Sequence, residues 1–146
     1  MTMGTIDPFI RELTSDEPVL DWFGITIHEA HDGVAVVTLT VDPQQVNGNR
    51  MAHGGVVFAV ADQAFAMAAN TVLRYAATAD ATIQYLAPTR AGDLVTARAR
   101  TTYHDERRAV IDVEVVASGR VVAMYRGTAR ATTLVESPAR ARVVRR

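Results

Sequence analysis

The longest apolar stretch of the chain runs from Met51 to Leu73 and carries one charged side chain, Asp62. Residues 54–73 contain no proline and are rich in Ala, Val, Phe and Met, and Gly54 and Gly55 open them directly after a polar loop. This composition predicts one long helix from Gly54 to about Leu73. Because apolar residues fall on every face of that helix and many are alanine, we expect other structure to surround it closely.

Most of the remaining chain shows the short apolar runs that are typical of β-strands. Residues 24–31 and 34–41 flank an Asp-Gly pair, which is a strong hairpin signal. Four further strands are predicted at residues 78–86, 93–103, 108–117 and 120–131. We expect these four to form an antiparallel meander. A short helical segment is expected before the first strand, around residues 15–23.

The predicted order is therefore two strands, one long helix and four strands. One helix cannot cover both faces of a six-stranded sheet, so we expect the sheet to curl around it and to leave its outer face or an edge free for a second copy. Three segments are predicted: residues 1–20 as a short helix or flexible segment, residues 21–132 as the folded domain, and residues 133–146 as a basic, solvated tail.

Composition narrows the chemistry that the chain can perform. Its 146 residues include 15 basic and 16 acidic side chains, a balance that does not favour nucleic acid as a partner. Cys is absent and every basic residue is Arg, which excludes a Cys nucleophile, a thiolate metal site, a Schiff-base lysine and a phosphate-loop lysine. The N-terminus has neither a basic start nor an apolar h-region, so we expect a cytoplasmic location.

The single charge within the apolar helix needs an explanation. An Asp at the centre of a bilayer costs about 2.5–3.5 kcal/mol, so Asp62 argues against a membrane span and for a buried soluble helix. In a buried helix the carboxylate loses hydration and must be paired, hydrogen-bonded or functional. A structural Asp at a subunit contact and a catalytic Asp are both open at this point.

A polar loop, Asn47 to His53, leads into the Gly-Gly start of the helix. Exposed N–H groups and the positive end of the helix dipole favour an oxygen that gains negative charge there, although a glycine-rich connection without function is the alternative. Gly54 and Asp62 are about 12 Å apart along one helix, so they cannot contact one carbonyl in the same chain. If they act together, they must meet across a two-fold axis, which makes two composite sites per dimer.

The run from Asn47 to Asn70, with His53-Gly54-Gly55 and Asp62 in it, resembles the hotdog-fold acyl-CoA thioesterases of the phenylacetate-degradation (PaaI-like) type. Tyr85-Leu86-Ala87-Pro88 and Tyr125-Arg126-Gly127 match that family more loosely. The resemblance spans about residues 21–132. It implies an α+β hotdog fold, in which a curled antiparallel sheet wraps around one long central helix, and assembly into dimers and commonly tetramers.

The resemblance also implies roles for single residues. Asp62 would be the nucleophile or general base, acting directly on a thioester carbonyl or through a water, and the Gly54 N–H would polarise that carbonyl. Four more residues would bind substrate or order its pocket: Asn47, His53, Gly55 and Thr78. The threonine falls where some relatives place a hydroxyl that positions water. No metal and no cofactor is implied, since coenzyme A is part of the substrate.

The function that the resemblance implies is hydrolysis of an acyl-CoA thioester to a free acid and CoA. The expected acyl group is aromatic, such as phenylacetyl or hydroxyphenylacetyl, or of medium chain length. Side chains that could line its pocket or belong to the core are Phe58, Phe65, Met67 and Tyr85. Arginines that could meet the CoA phosphates are Arg90, Arg107, Arg108 and Arg126.

Two alternatives to hydrolysis stay open: a hotdog hydratase or dehydratase, and a non-catalytic acyl-CoA-binding or sensor module. The other polar residues offer no second site. His28 and His31 have the wrong spacing for a zinc-protease helix, and with His104 we expect them to be exposed turn residues. The chain has no G-x-S-x-G nucleophile motif.

Overall fold

The computed structural model of the chain describes residues 3–132, so the tail predicted at residues 133–146 lies outside the described residues. Its elements are α1 (Pro8–Thr14), α2 (Pro18–Phe23), β1 (Ile25–His31), β2 (Val34–Thr40), a 3-10 turn (Pro43–Gln45), α3 (Gly54–Val72), β3 (Ala76–Tyr85), β4 (Leu94–His104), β5 (Arg108–Ala117) and β6 (Arg120–Ala131). The long helix and the six strands occur where the sequence predicts them.

Two short helices precede the first strand, where the sequence predicted one. Each has a proline in its first turn, where the missing N–H is not needed. Asp7 caps α1 by accepting a hydrogen bond from the Phe9 N–H at 2.8 Å. The cap and the proline together explain α1, which the apolar pattern alone did not reveal.

The sheet has the strand order β1-β2-β4-β5-β6-β3, and every neighbouring pair is antiparallel. The predicted meander of the last four strands is wrong in one respect: β4, β5 and β6 form a meander, but β3 pairs with β6 and β4 pairs with β2. The connection through α3 carries the chain across the width of the sheet. β3 therefore joins the far edge, and β4 returns to lie beside β2.

The core lies between α3 and the face of the sheet that it crosses. In β5, side chains at alternate positions are buried against the helix, namely Ala109, Ile111, Val113, Val115 and Ala117. Phe65 and Met67 of α3 belong to this core, at 1% and 2% exposure. By length and composition α3 could cross a membrane, but most of it is buried within the fold.

The helix and the sheet approach each other closely at Gly127 in β6. A Cβ atom placed there would lie 2.6 Å from a ring carbon of Phe65. The Phe65 ring also packs against the ring of Tyr125, with the centroids 5.6 Å apart. The absence of a side chain at Gly127 therefore sets how closely α3 approaches β6.

The two edges of the sheet differ. Residues of the N-terminal segment pair with β1: the Gly4 N–H donates to the carbonyl of His28 at 2.9 Å, and the Asp7 N–H to that of Ala30 at 2.8 Å. An ion pair between Asp7 and Arg74 ties this segment to the end of α3. Within residues 3–132, no strand pairs with the outer side of β3. In the described part of the chain, the second half of β1 is therefore covered and the β3 edge is open.

Two of the three histidines that were expected to be exposed, His28 and His31, are buried in part. His28 lies at a β-bulge in β1, which interrupts the alternation of side chains. Its Nε2 lies 2.7 Å from the Thr38 hydroxyl, and its Nδ1 is buried without a partner among the described residues. His31 is also half-buried, whereas His104 is exposed as predicted.

Replacing Gly127 by Ala is expected to lower the free energy of unfolding by about 1–3 kcal/mol, because the added methyl group must displace the Phe65 ring. Gly48→Ala is the control, since a Cβ at Gly48 meets no atom within 4 Å. Urea unfolding followed by circular dichroism measures both variants. Equal unfolding midpoints would contradict the tight contact.

Candidate active site

A groove of about 390 Å³ opens between the start of α3 and the segment that follows β3. Asn47 and Gly54 lie on one side of it, and Tyr85 to Thr89 on the other. The rest of its lining is apolar: Met51, Ala52, Val57 and Val122. Two segments that the sequence singled out therefore meet at one groove. A larger groove of about 560 Å³ beside Trp22 contains none of the predicted site residues.

The side chain of Asn47 closes the loop that leads into α3. Its Oδ1 accepts hydrogen bonds from the Asn49 N–H at 2.9 Å and from the Met51 N–H at 3.2 Å. The loop turns at Arg50, which has a φ of 63°. Because the oxygen of Asn47 is engaged in the loop, its NH₂ group is the part of this side chain that can donate to a ligand.

His53 caps the first turn of α3. Its Nδ1 accepts a hydrogen bond from the Gly55 N–H at 2.9 Å, so the ring proton of a neutral His53 lies on Nε2. His53 and Gly55 were both predicted to line the substrate pocket, and in the structure these two groups bond to each other. Their contact with substrate stays a prediction.

Gly54 presents the backbone donor that the helix start leaves free. Its N–H has no acceptor among residues 3–132, and it lies at the positive end of a 19-residue helix. Its carbonyl accepts a hydrogen bond from the Tyr85 hydroxyl at 2.8 Å. Since Gly54 lines the groove, its N–H is a donor that can polarise a carbonyl bound there.

Asp62 is half-buried in the middle of α3. One of its oxygens accepts a hydrogen bond from the Tyr125 hydroxyl at 2.8 Å. Burial raises the pKa of Asp62, and the bond from Tyr125 opposes that rise. The pKa of Tyr125 is itself raised, first by burial and then by the neighbouring carboxylate, so the hydroxyl stays protonated as a donor. Asp62 is thus a stronger base than an exposed aspartate.

Asp62 does not line the groove that holds Gly54. The two residues are eight positions apart on one helix, about 12 Å along its axis. Thr78 is also outside the groove, because it lies exposed on β3, paired with Ala129 of β6. Ala129 and Tyr125 both point toward α3. Because Thr78 is paired with Ala129, it lies on the same face of the sheet, which is the face that Asp62 of α3 contacts through Tyr125. The structure therefore separates the predicted residues into two groups.

Two tyrosine hydroxyls complete these groups. The sequence offered Tyr85 as a pocket or core side chain and Tyr125 as part of a family match, but it gave neither hydroxyl a role. Tyr125 bonds Asp62, and Tyr85 bonds the Gly54 carbonyl. The available signal was positional: Tyr125 is the one polar side chain among the inward-facing residues at alternate positions of β6, from Ala123 to Ala129. A buried hydroxyl there needs a partner on the helix.

The arginines proposed for CoA lie in three places. Arg126 is paired with Asp112 on the outer face of the sheet, and Arg107 and Arg108 lie at the turn between β4 and β5. Arg90 directly follows Thr89, which lines the groove. An arginine that was not predicted, Arg120, donates to the carbonyl of the groove residue Pro88 at 3.1 Å.

Residues 49–124 match the sequence model of the thioesterase superfamily. Acyl-coenzyme A thioesterase PaaI of Escherichia coli is 41% identical to the chain over 105 residues, which are 71% of this chain and 75% of that protein. The structure of the E. coli PaaI protein from the phenylacetic acid degradation operon superposes with a TM-score of 0.82 and 35% identity, covering 84% of this chain and 90% of that one.

A further similar structure is a hypothetical thioesterase protein from Streptococcus pneumoniae with coenzyme A, with a TM-score of 0.70 and 27% identity over 74% of this chain and 88% of that one. Structures of hypothetical thioesterase variants from the same organism carry alanine in place of an aspartate or of a threonine. Those two residues are sixteen positions apart, the same spacing as Asp62 and Thr78.

Tyr125→Phe is expected to raise the pKa of Asp62 further, because the variant removes the hydrogen bond that favours the carboxylate. An aspartate whose pKa is raised by folding stabilises the protein when protonated, and that contribution is lost as pH rises from the unfolded pKa through the folded one. In Tyr125→Phe, the loss of stability that comes from deprotonation of Asp62 should therefore extend to a higher pH than in the unsubstituted chain.

NMR titration of the Asp62 carboxyl carbon measures this pKa directly. Tyr103→Phe is the matched control, since it removes a 2.8 Å hydrogen bond between a tyrosine hydroxyl and Asp105 at a distant turn. A pKa of Asp62 that is unchanged or lower in Tyr125→Phe would contradict the role of that bond.

Proposed function

The chain belongs to the thioesterase superfamily, with its hotdog fold, and from this premise we propose that it hydrolyses acyl-CoA thioesters to a free acid and CoA. The observation that carries the proposal is the pair of groups on α3: a free Gly54 N–H at its positive end, and an Asp62 carboxylate of raised pKa at its middle. The first suits the oxygen of a thioester carbonyl, and the second suits the activation of water.

In the proposed reaction the thioester carbonyl oxygen accepts a hydrogen bond from the Gly54 N–H, which stabilises the negative charge that develops on that oxygen. Asp62 takes a proton from a water while the oxygen of that water bonds to the carbonyl carbon. The C–S bond then breaks, and the CoA thiolate leaves and receives the proton. The raised pKa of Asp62 supports this role of general base, and the Tyr125 bond leaves one carboxylate oxygen for the water.

We propose that the two groups meet in a homodimer. Along one helix they are about 12 Å apart, so a single carbonyl can contact both only if Asp62 comes from a second copy. The open edge of β3, with Thr78 exposed on its helix-facing side, supports pairing of that strand with its copy. Each dimer would then hold two composite sites, and two dimers would form the tetramer that the family resemblance implies.

The groove supports an apolar acyl group. Its lining includes Met51, Val57, Leu86 and Val122, and it offers few polar contacts apart from Asn47, Gly54 and Tyr85. An aromatic group such as phenylacetyl or hydroxyphenylacetyl, or a medium acyl chain, fits that lining. For the CoA phosphates we propose Arg120 and Arg90, because Arg120 bonds the groove residue Pro88 and Arg90 follows the groove residue Thr89.

Asp62→Asn is expected to lower kcat by about 10²–10⁴-fold, the usual contribution of a general base. Release of free CoA from a panel of aryl, hydroxylated and aliphatic acyl-CoAs, followed with a thiol-reactive dye, measures it without background from this cysteine-free chain. The fold should persist, because an Asn oxygen can still accept the Tyr125 hydrogen bond.

The control for this variant is Asp112→Asn, which removes a carboxylate on the outer face of the sheet that pairs with Arg126. Its turnover should match that of the unsubstituted chain. Turnover by Asp62→Asn at the same rate as the control would overturn the assignment. Binding of acyl-CoA without turnover by the unsubstituted chain would favour a sensor instead.

Gly54→Pro removes the proposed donor, and its expected cost in kcat is about 10²–10³-fold. Proline suits the first position of a helix, and His53 before it already has the extended backbone that a following proline requires. Gly54→Ala is the control, because it adds a Cβ as proline does but keeps the N–H. The difference in kcat between the two variants therefore measures the contribution of the N–H donor.

Composite sites predict that two inactive variants restore each other. After subunit exchange between Gly54→Pro and Asp62→Asn at equal amounts, half of the dimers are mixed and each holds one intact site, so about a quarter of full activity should return. Mass spectrometry confirms that mixed dimers form. Mixed dimers without recovered activity would show that the two groups do not act in one site.

A further inference from the structure

We propose that Tyr85 is a positioning residue for the thioester site, holding the first turn of α3 so that the Gly54 N–H faces the groove. The inference rests on the proposed function and adds a residue to it. Tyr85 is the last residue of β3, and it lines the groove together with Gly54.

The peptide unit between Gly54 and Gly55 is held at both of its polar atoms. The Tyr85 hydroxyl donates to its carbonyl oxygen at 2.8 Å, and its N–H donates to His53 Nδ1 at 2.9 Å. One bond comes from the neighbouring strand and the other from the residue that caps the helix. Together they fix the orientation of this peptide, and with it the backbone of Gly54.

This fixation matters because the helix begins with two glycines. Glycine has the widest range of backbone conformations, and the first turn of a helix lacks the internal hydrogen bonds of later turns. A donor of variable direction stabilises a developing charge poorly, since its effect depends on preorganisation. The backbone next to Tyr85 is held by the sheet, because the Leu86 N–H donates to the carbonyl of Val122 in β6 at 2.8 Å. The Tyr85 hydroxyl therefore links the start of α3 to a fixed part of the sheet.

The glycine at position 54 fits the same arrangement. A Cβ there would lie 3.2 Å from both the ring and the hydroxyl oxygen of Tyr85, a tighter contact than most side chains make. Gly54 thus lets the phenol reach the carbonyl. The Tyr85 side chain is half-exposed, so burial in the hydrophobic core does not explain its position. Burial raises its pKa, which keeps the hydroxyl protonated as a donor.

The test compares Tyr85→Phe with Tyr103→Phe, which removes a hydroxyl bond of the same 2.8 Å length at the turn between β4 and β5. We expect Tyr85→Phe to lower kcat about tenfold, less than loss of the donor itself, with KM unchanged. Tyr103→Phe should leave both constants unchanged. A higher KM with unchanged kcat would make Tyr85 a substrate contact, and two unchanged constants would remove its role; either result overturns the proposal.

A second measurement does not depend on turnover. Hydrogen exchange of the Gly55 amide, which is bonded to His53 Nδ1, should be faster in Tyr85→Phe and unchanged in Tyr103→Phe when followed by NMR. If the unsubstituted chain hydrolyses no acyl-CoA but this exchange still quickens, the proposed function fails and the positioning role stands. Unchanged exchange of the Gly55 amide would overturn the positioning role even in an active thioesterase.

Discussion

The hydrogen bond from Tyr125 to Asp62 is the interaction on which the rest of the site depends. A carboxylate in an apolar helix costs several kcal/mol if it has no partner, and this hydroxyl is the donor that the described residues provide. Tyr125 is held in turn by the rings of Phe58 and Phe65, whose centroids lie 5.5 and 5.6 Å from its own. Phe65 can take its place only because Gly127 has no side chain. The environment of the Asp62 carboxylate in the helix therefore depends on a glycine in the strand.

The apolar pattern predicts the bounds of single helices and strands well, but it predicts poorly which strands pair with each other. The bounds of β5 and β6 agree with the prediction at every residue, and α3 begins at Gly54 as expected. Alternation along a strand reports which face is buried, and β5 shows it from Ala109 to Ala117. It does not report which strand lies alongside, because pairing depends on how α3 crosses the sheet. The pattern therefore does not predict that β3 lies beside β6. It also does not predict the partial burial of His28, because a bulge interrupts the alternation of side chains in β1.

The site shows the same division between local and distant information. Asn47 and Gly54 meet at the groove because they are close in the chain and joined by a compact loop. The separation of Gly54 from Asp62 also follows from sequence, since it needs only the rise of a helix. The two tyrosine hydroxyls could not be placed in this way. Each reaches α3 from a strand, so its contact depends on strand order, register and the distance between helix and sheet, which the sequence does not display.

The unequal edges of the sheet limit how copies of the chain can associate. A sheet with two open edges can add further sheets on both sides and grow into a filament. Here the N-terminal segment hydrogen-bonds to β1, and Arg74 at the end of the long helix anchors it through Asp7. Among residues 3–132, the β3 edge then remains for pairing, and pairing of two copies there would use this edge in both. In the proposed dimer, a few residues near the start of the chain would therefore block the second edge and limit assembly through strand edges to two copies.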